Sequence, residues 1–247
     1  KLSRSIAKRV LQDRVSLLLP NVLEDASFST QDSILSTGIR SAVCVPLWFT
    51  SGSGRSLRSC REFAQEAHVV GIDLEETFEC DNSQAPYAIR GDVGALPFPS
   101  DSFDIVISRS VVEHLDEPPQ VFREFARVLR PGGTVVIITP NKYDYVSVIA
   151  ALTPYWVHRA LVSRIFQVPE DDVFPTRYRA NTMSAMRRAM SDAGLAEGEM
   201  DTINHYPAYL MFSPVLFRLG VLYERLTSLR ALRSLRGSIL CAFGKAG

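Results

Sequence analysis

The chain has no excess of charge of either sign. Its 27 Lys and Arg are matched by 27 Asp and Glu over 247 residues, a formal net charge of zero. Composition therefore gives no electrostatic footprint for a nucleic-acid surface, and no nucleic-acid partner is expected. Cysteine is scarce. Cys44, Cys60, Cys80 and Cys241 are scattered, with no C-x-x-C pair and no ligand-like spacing. That pattern implies free thiols in a reducing, cytoplasmic setting rather than a disulfide framework. Long apolar runs are missing too. The stretches 145–157 and 206–217 are short and contain proline, whereas a bilayer span needs about 20 residues. No secretory pattern opens the chain, which starts at Lys1 rather than Met, as a truncated start would. Neither a metal-ligand cluster nor a nucleophile–base pair stands out.

What is present is concentrated between Gly91 and Asn141. Gly91-Asp92 closes a short apolar strand, Tyr87 to Ile89. Phe103 to Ser108 (FDIVIS) is an apolar run. A helix follows, with Asp116 as its expected cap and Pro118-Pro119 in its first turn. Val121, Phe122, Phe125, Val128 and Leu129 form its expected buried stripe. Pro131-Gly132-Gly133 breaks the helix, and Thr134 to Pro140 is a second run rich in β-branched residues. Continuous apolar strands alternating with an amphipathic helix predict a parallel sheet covered on both faces. Such doubly wound α/β sheets bind ligands at the carboxyl ends of their strands.

The same stretch resembles the class I S-adenosylmethionine (SAM)-dependent methyltransferases of the type 11 kind. Asp92, Leu96-Pro97-Phe98-Pro99, Ser102-Phe103-Asp104, Glu113-His114-Leu115 and the run VLRPGG (128–133) carry the resemblance. It implies a mostly parallel, seven-stranded Rossmann-like sheet with helical insertions, and SAM as cofactor. It also implies a division into an N-terminal segment (1–49), a SAM-binding half (50–141) and a substrate or lid half (142–247).

The N-terminal segment resembles another family. RVLQDRVSLLLPNVLEDASF, SILSTGIRS and AVCVPLW are similar to the first third of a GAF sensory domain, whose remaining strands are absent. The last strand of this segment, Ser41 to Phe49, is apolar on both faces and is expected to serve as the first central strand of the methyltransferase sheet.

The methyltransferase resemblance also assigns cofactor contacts. Residues 47–55 read LWFTSGSGR. Gly52 and Gly54 match two glycines of the family's first motif, where the backbone turns tightly and approaches the ligand. Trp48 stands where that motif has an acid, and Thr50 where it has its first glycine. The bland alternative is a flexible Ser/Gly linker. Asp73, at the end of the run HVVGID with Leu74 after it, matches the ribose-binding acid; a turn residue is the alternative. Asp92, with Val93 beside it, matches the adenine contact or else a strand-end cap. Ser108 and Arg109 would face the methionine part. His114 would touch cofactor or substrate or act as a base; a structural histidine is equally consistent.

Beyond Asn141, residues 142–179 are dense in Tyr, Phe and Trp. They suit either a lid or substrate pocket or a helical insertion burying its own aromatics. Asn181-Thr182 should start a helix that Gly194 ends, and a strand is expected near 199–205. From 208 to 247, six basic residues face one acid, with Leu219, Leu222, Leu226, Leu229 and Leu232 between them. A core-facing stripe with a solvated basic face is the commoner explanation, and weak contact with an anionic membrane surface is the other. Ser238 to Phe243 should be the last strand, inserted antiparallel.

These features lead to a SAM-dependent methyltransferase with a degraded first motif, acting on a small-molecule or lipid-like substrate. A non-catalytic fusion or regulatory remnant is the rival reading, and a signal-sensing module a second. No motif sets an oligomeric state.

Overall fold

The computed structural model describes residues 41–46, 68–74, 87–154, 175–204, 207 and 210–247. Its strands are β1 (Ser41–Pro46), β2 (His68–Asp73), β3 (Tyr87–Arg90), β4 (Phe103–Arg109), β5 (Leu129–Pro140), β6 (Leu195–Ile203) and β7 (Ser238–Lys245). They form one sheet in the order β3-β2-β1-β4-β5-β7-β6. The first five run parallel, and β7 lies antiparallel between β5 and β6. This is an α/β, doubly wound, mostly parallel sheet. Winding goes outward from β1 to β3, then returns to place β4 on the other side of β1. Such a reversal leaves a crevice at the carboxyl ends of the two central strands.

β1 holds the centre. Val43 is in register with Val70 of β2 on one side and Val106 of β4 on the other. Residues 47–49, expected to continue it, and the GAF-like segment 1–40 lie outside the described residues.

Helix α1 (Pro118–Val128) buries Val121, Phe122, Phe125 and Val128. These positions form one face at helical spacing. Two details differ from the sequence expectation. Glu117, not Asp116, is the N-cap residue, and no side chain caps the helix. Asp116 is drawn instead to Arg177, 3.0 Å away, and Arg179. The helix also stops one residue early. Leu129 is extended (φ −70°, ψ 138°) and buried as the first residue of β5, because Pro131 two residues on disfavours continuing the helix. In β5 the pairing with β4 jumps from Phe103↔Leu129 to Ile105↔Thr134. Gly132 sits at φ +80° inside that irregularity. A Cβ on Gly133 would lie 2.9 Å from Arg130 O and 3.0 Å from Asp104 O. Glycine is needed there for backbone to approach backbone.

Helix α2 (Tyr145–Leu152) is capped by Asp144, whose Oδ2 accepts from Val146 N at 3.1 Å. Helix α3 (Met183–Asp192) is capped by Thr182, whose Oγ1 accepts from Ala185 N at 3.1 Å. Gly194, at φ +81°, ends it and turns the chain straight into β6. That strand therefore starts at Leu195, four residues before the expected place. Helix α4 (Pro214–Thr227) and a 3-10 turn (Arg230–Leu235) precede β7. Here the commoner sequence reading fails: Leu219, Leu222, Leu226 and Leu229 are exposed, not core-facing. α4 instead turns Gly220 and Thr227 inward, and a Cβ on Gly220 would lie 2.7 Å from the Pro207 ring.

The core lies where α1 and α3 meet the sheet: Phe122, Phe125, Met186, Met190, Ile137 and Phe243 are among its fully buried side chains.

Candidate functional site

Parallel pairing aligns the ends of β1 to β4 on one edge. Asp73 is in register with Arg90, Ser108 with Val45, and Arg109 with Pro46. Asp73 thus closes β2, while Ser108 and Arg109 close β4 at the reversal point. Leu74 follows β2, with its side chain 63% exposed. Its carbonyl accepts from Arg90 Nε at 3.1 Å, which ties this turn to the end of β3.

Asp92 and Val93 follow β3 in a loop that α1 holds. Asp92 Oδ1 accepts from Gly94 N at 2.8 Å. One face of α1 then grips the loop at successive turns. Gln120 Nε2 donates to Gly94 O (2.8 Å), Glu124 Oε2 accepts from Leu96 N (2.8 Å), and Arg127 donates to Leu96 O (2.9 Å) and Phe98 O (2.7 Å). Glu124 and Arg127 also pair at 2.7 Å. The Arg127 guanidinium beside Glu124 holds its carboxyl below the usual range. The LPFP segment is therefore a fitted loop that fixes where Asp92 stands.

Ser108 is buried, and its Oγ has no hydrogen-bond partner among the described residues. A buried hydroxyl without a partner is costly and uncommon. Two residues on, Ser110 adopts φ 55° while its N–H donates to Ile138 O at 2.8 Å. The chain turns sharply there into a 3-10 turn, Val112–His114. His114 Nδ1 lies 2.9 Å from Pro175 O. A carbonyl only accepts, so Nδ1 carries the proton and Nε2 is the basic nitrogen. Burial holds the His114 pKa below its ordinary value, so the ring is neutral at pH 7.

Next to His114 stands a buried polar network that the sequence reading did not find. Thr139 Oγ1 donates to Glu113 Oε2 (2.9 Å) and accepts from Asn181 Nδ2 (2.7 Å). Burial pushes the Glu113 pKa up to about 7, against the opposing pull of its hydrogen bonds. The Glu113 carbonyl accepts from Arg177 N and Tyr178 N, and Tyr178 sits at φ 50°. Burial also pushes Asp144 up to about 6; its Oδ1 has no hydrogen-bond partner among the described residues. The available signal is an acid beside His114 in a turn whose other residues are apolar, VVEHL. Only tertiary structure shows that it is covered.

Gly52 and Gly54, with Trp48 and Thr50, lie outside the described residues, as do the aromatics 155–174. Among the described residues no group of His, Cys, Asp and Glu is placed to hold a metal ion, and no helix is long and apolar enough to cross a membrane. Cys241 is a free thiol enclosed in β7, and burial pushes its pKa up.

The family profile described as "Methyltransferase domain" matches residues 47–137. A probable S-adenosylmethionine-dependent methyltransferase of Mycolicibacterium smegmatis is 39% identical over 81 residues, 31% of this chain and 31% of that protein. The demethylmenaquinone methyltransferase of Listeria welshimeri is 34% identical over 96 residues, covering 35% of this chain and 40% of its own. These alignments span about a third of the relatives' length. Among solved structures, a SAM-dependent methyltransferase of Mesorhizobium loti superposes with a TM-score of 0.51 at 18% identity, over 84% of this chain and 91% of its own; that likeness concerns the fold alone. The 47–137 match, the relatives and the strand reversal at β1 and β4 together support a class I, SAM-dependent methyltransferase domain over this part of the chain.

Proposed function

We propose that this chain transfers a methyl group from SAM to a nucleophile on a small or lipid-like molecule, at the carboxyl edge of β1–β4. One observation carries this reading most: Ser108, Arg109, Asp73 and the α1-held Asp92 loop share one edge at the strand reversal. The residues present fit such a cofactor. Asp73 would accept from the ribose hydroxyls, and the exposed Leu74 would lie against the adenine, with Asp92 and Val93 at its amino edge. Ser108, whose buried hydroxyl has no partner among the described residues, and Arg109 would meet the methionine part, along the Gly52 and Gly54 backbone.

The sulfonium supplies an already electrophilic methyl group. The protein's work is to align the acceptor and keep water out. Where the acceptor must lose a proton, His114 takes it on Nε2, the nitrogen left basic by the Nδ1 bond to Pro175. The demethylmenaquinone methyltransferase among the relatives supports a small-molecule acceptor.

A second reading is favoured by one feature. Aligned on Gly52 and Gly54, the sequence itself sets Trp48 where the first motif has an acid and Thr50 where it has its first glycine. A chain so altered would keep the fold and lose the cofactor. Calorimetric titration with SAM and S-adenosylhomocysteine decides between them. Saturable binding supports the enzyme; a folded sample with no heat of binding supports the remnant.

A further inference from the structure

The outer face of α4 is unlike the surface of an ordinary surface helix. Phe212, Val215, Leu219, Leu222 and Leu226 are each between 48% and 66% exposed. From Val215 on they recur at helical spacing, so they form one stripe along the 14-residue helix. Leu229, 58% exposed, prolongs it into the next turn. A contiguous apolar strip of this kind marks an interaction surface.

Among the described residues, the exposed charges around the strip are of one sign. Arg218 and Arg225 line one side of it on α4, and Arg230 and Arg233 follow in the 3-10 turn; all four are exposed. None is ion-paired with a described residue. The region's one acid, Glu224, points away from the strip, its Oε2 buried and its carbonyl accepting from Ser228 N and Asn204 Nδ2. Arg236 is likewise engaged inward, donating to carbonyls of Thr227, Thr202 and Ser228. A second exposed apolar pair, Ile149 and Leu152, lies on α2, which touches α4 through the edge-on contact of Tyr145 with Tyr223.

We propose that the α4 face docks on an anionic lipid bilayer, lying in its interface. Charge complementarity chooses this occupant. An apolar strip whose exposed charged neighbours, among the described residues, are guanidinium groups matches a surface with anionic phosphates above hydrocarbon. A second copy of the same face would bring arginine against arginine. At 14 residues the helix is about 21 Å long, too short to span and suited to lie flat. The strip enters the acyl boundary while Arg218, Arg225, Arg230 and Arg233 reach headgroup phosphates. The inference stands independently of methyl transfer, since it uses none of the residues on the β1–β4 edge.

The test is co-sedimentation of the full chain with vesicles of phosphatidylcholine alone and of phosphatidylcholine mixed with phosphatidylglycerol. Binding is expected on the mixed vesicles, weakened by salt, and not on phosphatidylcholine alone. The double variant Arg218→Gln/Arg225→Gln should lose roughly 25-fold in partitioning, about fivefold per cation. Leu219→Gln/Leu222→Gln should also release the protein. If the leucine variant misfolds by circular dichroism, the arginine pair and the salt titration carry the test. No binding to mixed vesicles at low salt, or equal binding by the arginine variant, overturns the proposal. So does a dimer by light scattering, without vesicle binding, that the leucine variant dissociates; the face would then belong to a second copy.

Discussion

Thr139 Oγ1 donates to Glu113 Oε2 across 2.9 Å, joining the end of β5 to the turn that carries His114. Both side chains are almost wholly buried. The bond lowers the Glu113 pKa, yet burial outweighs it and leaves the group at about 7. The turn therefore rests on a carboxyl that changes charge near neutral pH.

The sign of the consequence is fixed. Glu113 moves from an ordinary 4.5 to about 7 on folding, so the folded state binds the proton more tightly. Stability from this group is full below about pH 4.5 and lost as pH rises to about 7. Asp144, raised from 3.8 to about 6, acts in the same direction over a lower window. Glu113→Gln keeps an acceptor for Thr139 and cannot ionise. It should flatten the pH dependence and exceed wild type by up to about 3 kcal/mol above neutral pH. Urea midpoints at acid and alkaline pH check this; a variant with the wild-type slope would sink it.

Gly133→Ala tests the join between α1 and β5. The new Cβ would meet two backbone oxygens at 3.0 Å or less, and backbone cannot swing aside as a side-chain tip can. A loss of about 2 kcal/mol or more is expected. Gly132→Ala meets no atoms but is strained by its φ of +80°, so it should cost about 1 kcal/mol. Thermal midpoints that rank these two in the opposite order would place the tight contact elsewhere.

Much of this fold is legible in the sequence, and the errors have physical causes. β4, α1 and β7 are visible because apolar periodicity reports a buried face directly, as Phe122 and Phe125 show. Asp116 reads as a cap because Ser, Thr, Asp and Asn favour that position. Arg177 and Arg179, more than 60 residues away, draw it elsewhere. The leucine stripe of α4 has correct helical spacing, but spacing identifies a face and not what covers it. Of the candidate site, the strand-end residues Asp73, Asp92 and Ser108 follow from motifs. The raised pKa of Glu113 does not, because its burial is a tertiary matter, set beside Thr139, 26 residues away in the chain.

Asp73→Ala addresses the proposed ribose contact. Its backbone closes β2 beside Arg90, where a carboxylate would accept from two hydroxyls. Losing hydrogen bonds to a charged group should weaken S-adenosylhomocysteine binding by about 1.5–3 kcal/mol, roughly 10- to 150-fold in Kd. Calorimetry on a folded variant is the measurement. An unchanged affinity would remove Asp73 from the site.

The first motif gives the sharpest test. On the proposed alignment Trp48 takes the place of an acid, and its indole nitrogen only donates, so it cannot accept from an ammonium group. A cation on the indole face would recover about 0.5–2 kcal/mol at most. Thr50 adds a Cβ where a glycine would let backbone approach the ligand. Wild-type binding should therefore be weaker than that of relatives with an intact motif. Trp48→Asp with Thr50→Gly should strengthen it. Circular dichroism comes first, so that a loss of fold is not taken for a loss of binding. Should a folded double variant bind no better than wild type, the alignment of residues 47–55 on the motif is wrong. Tighter binding would show that the cleft at the β1–β4 edge is intact and that two side chains hold it back.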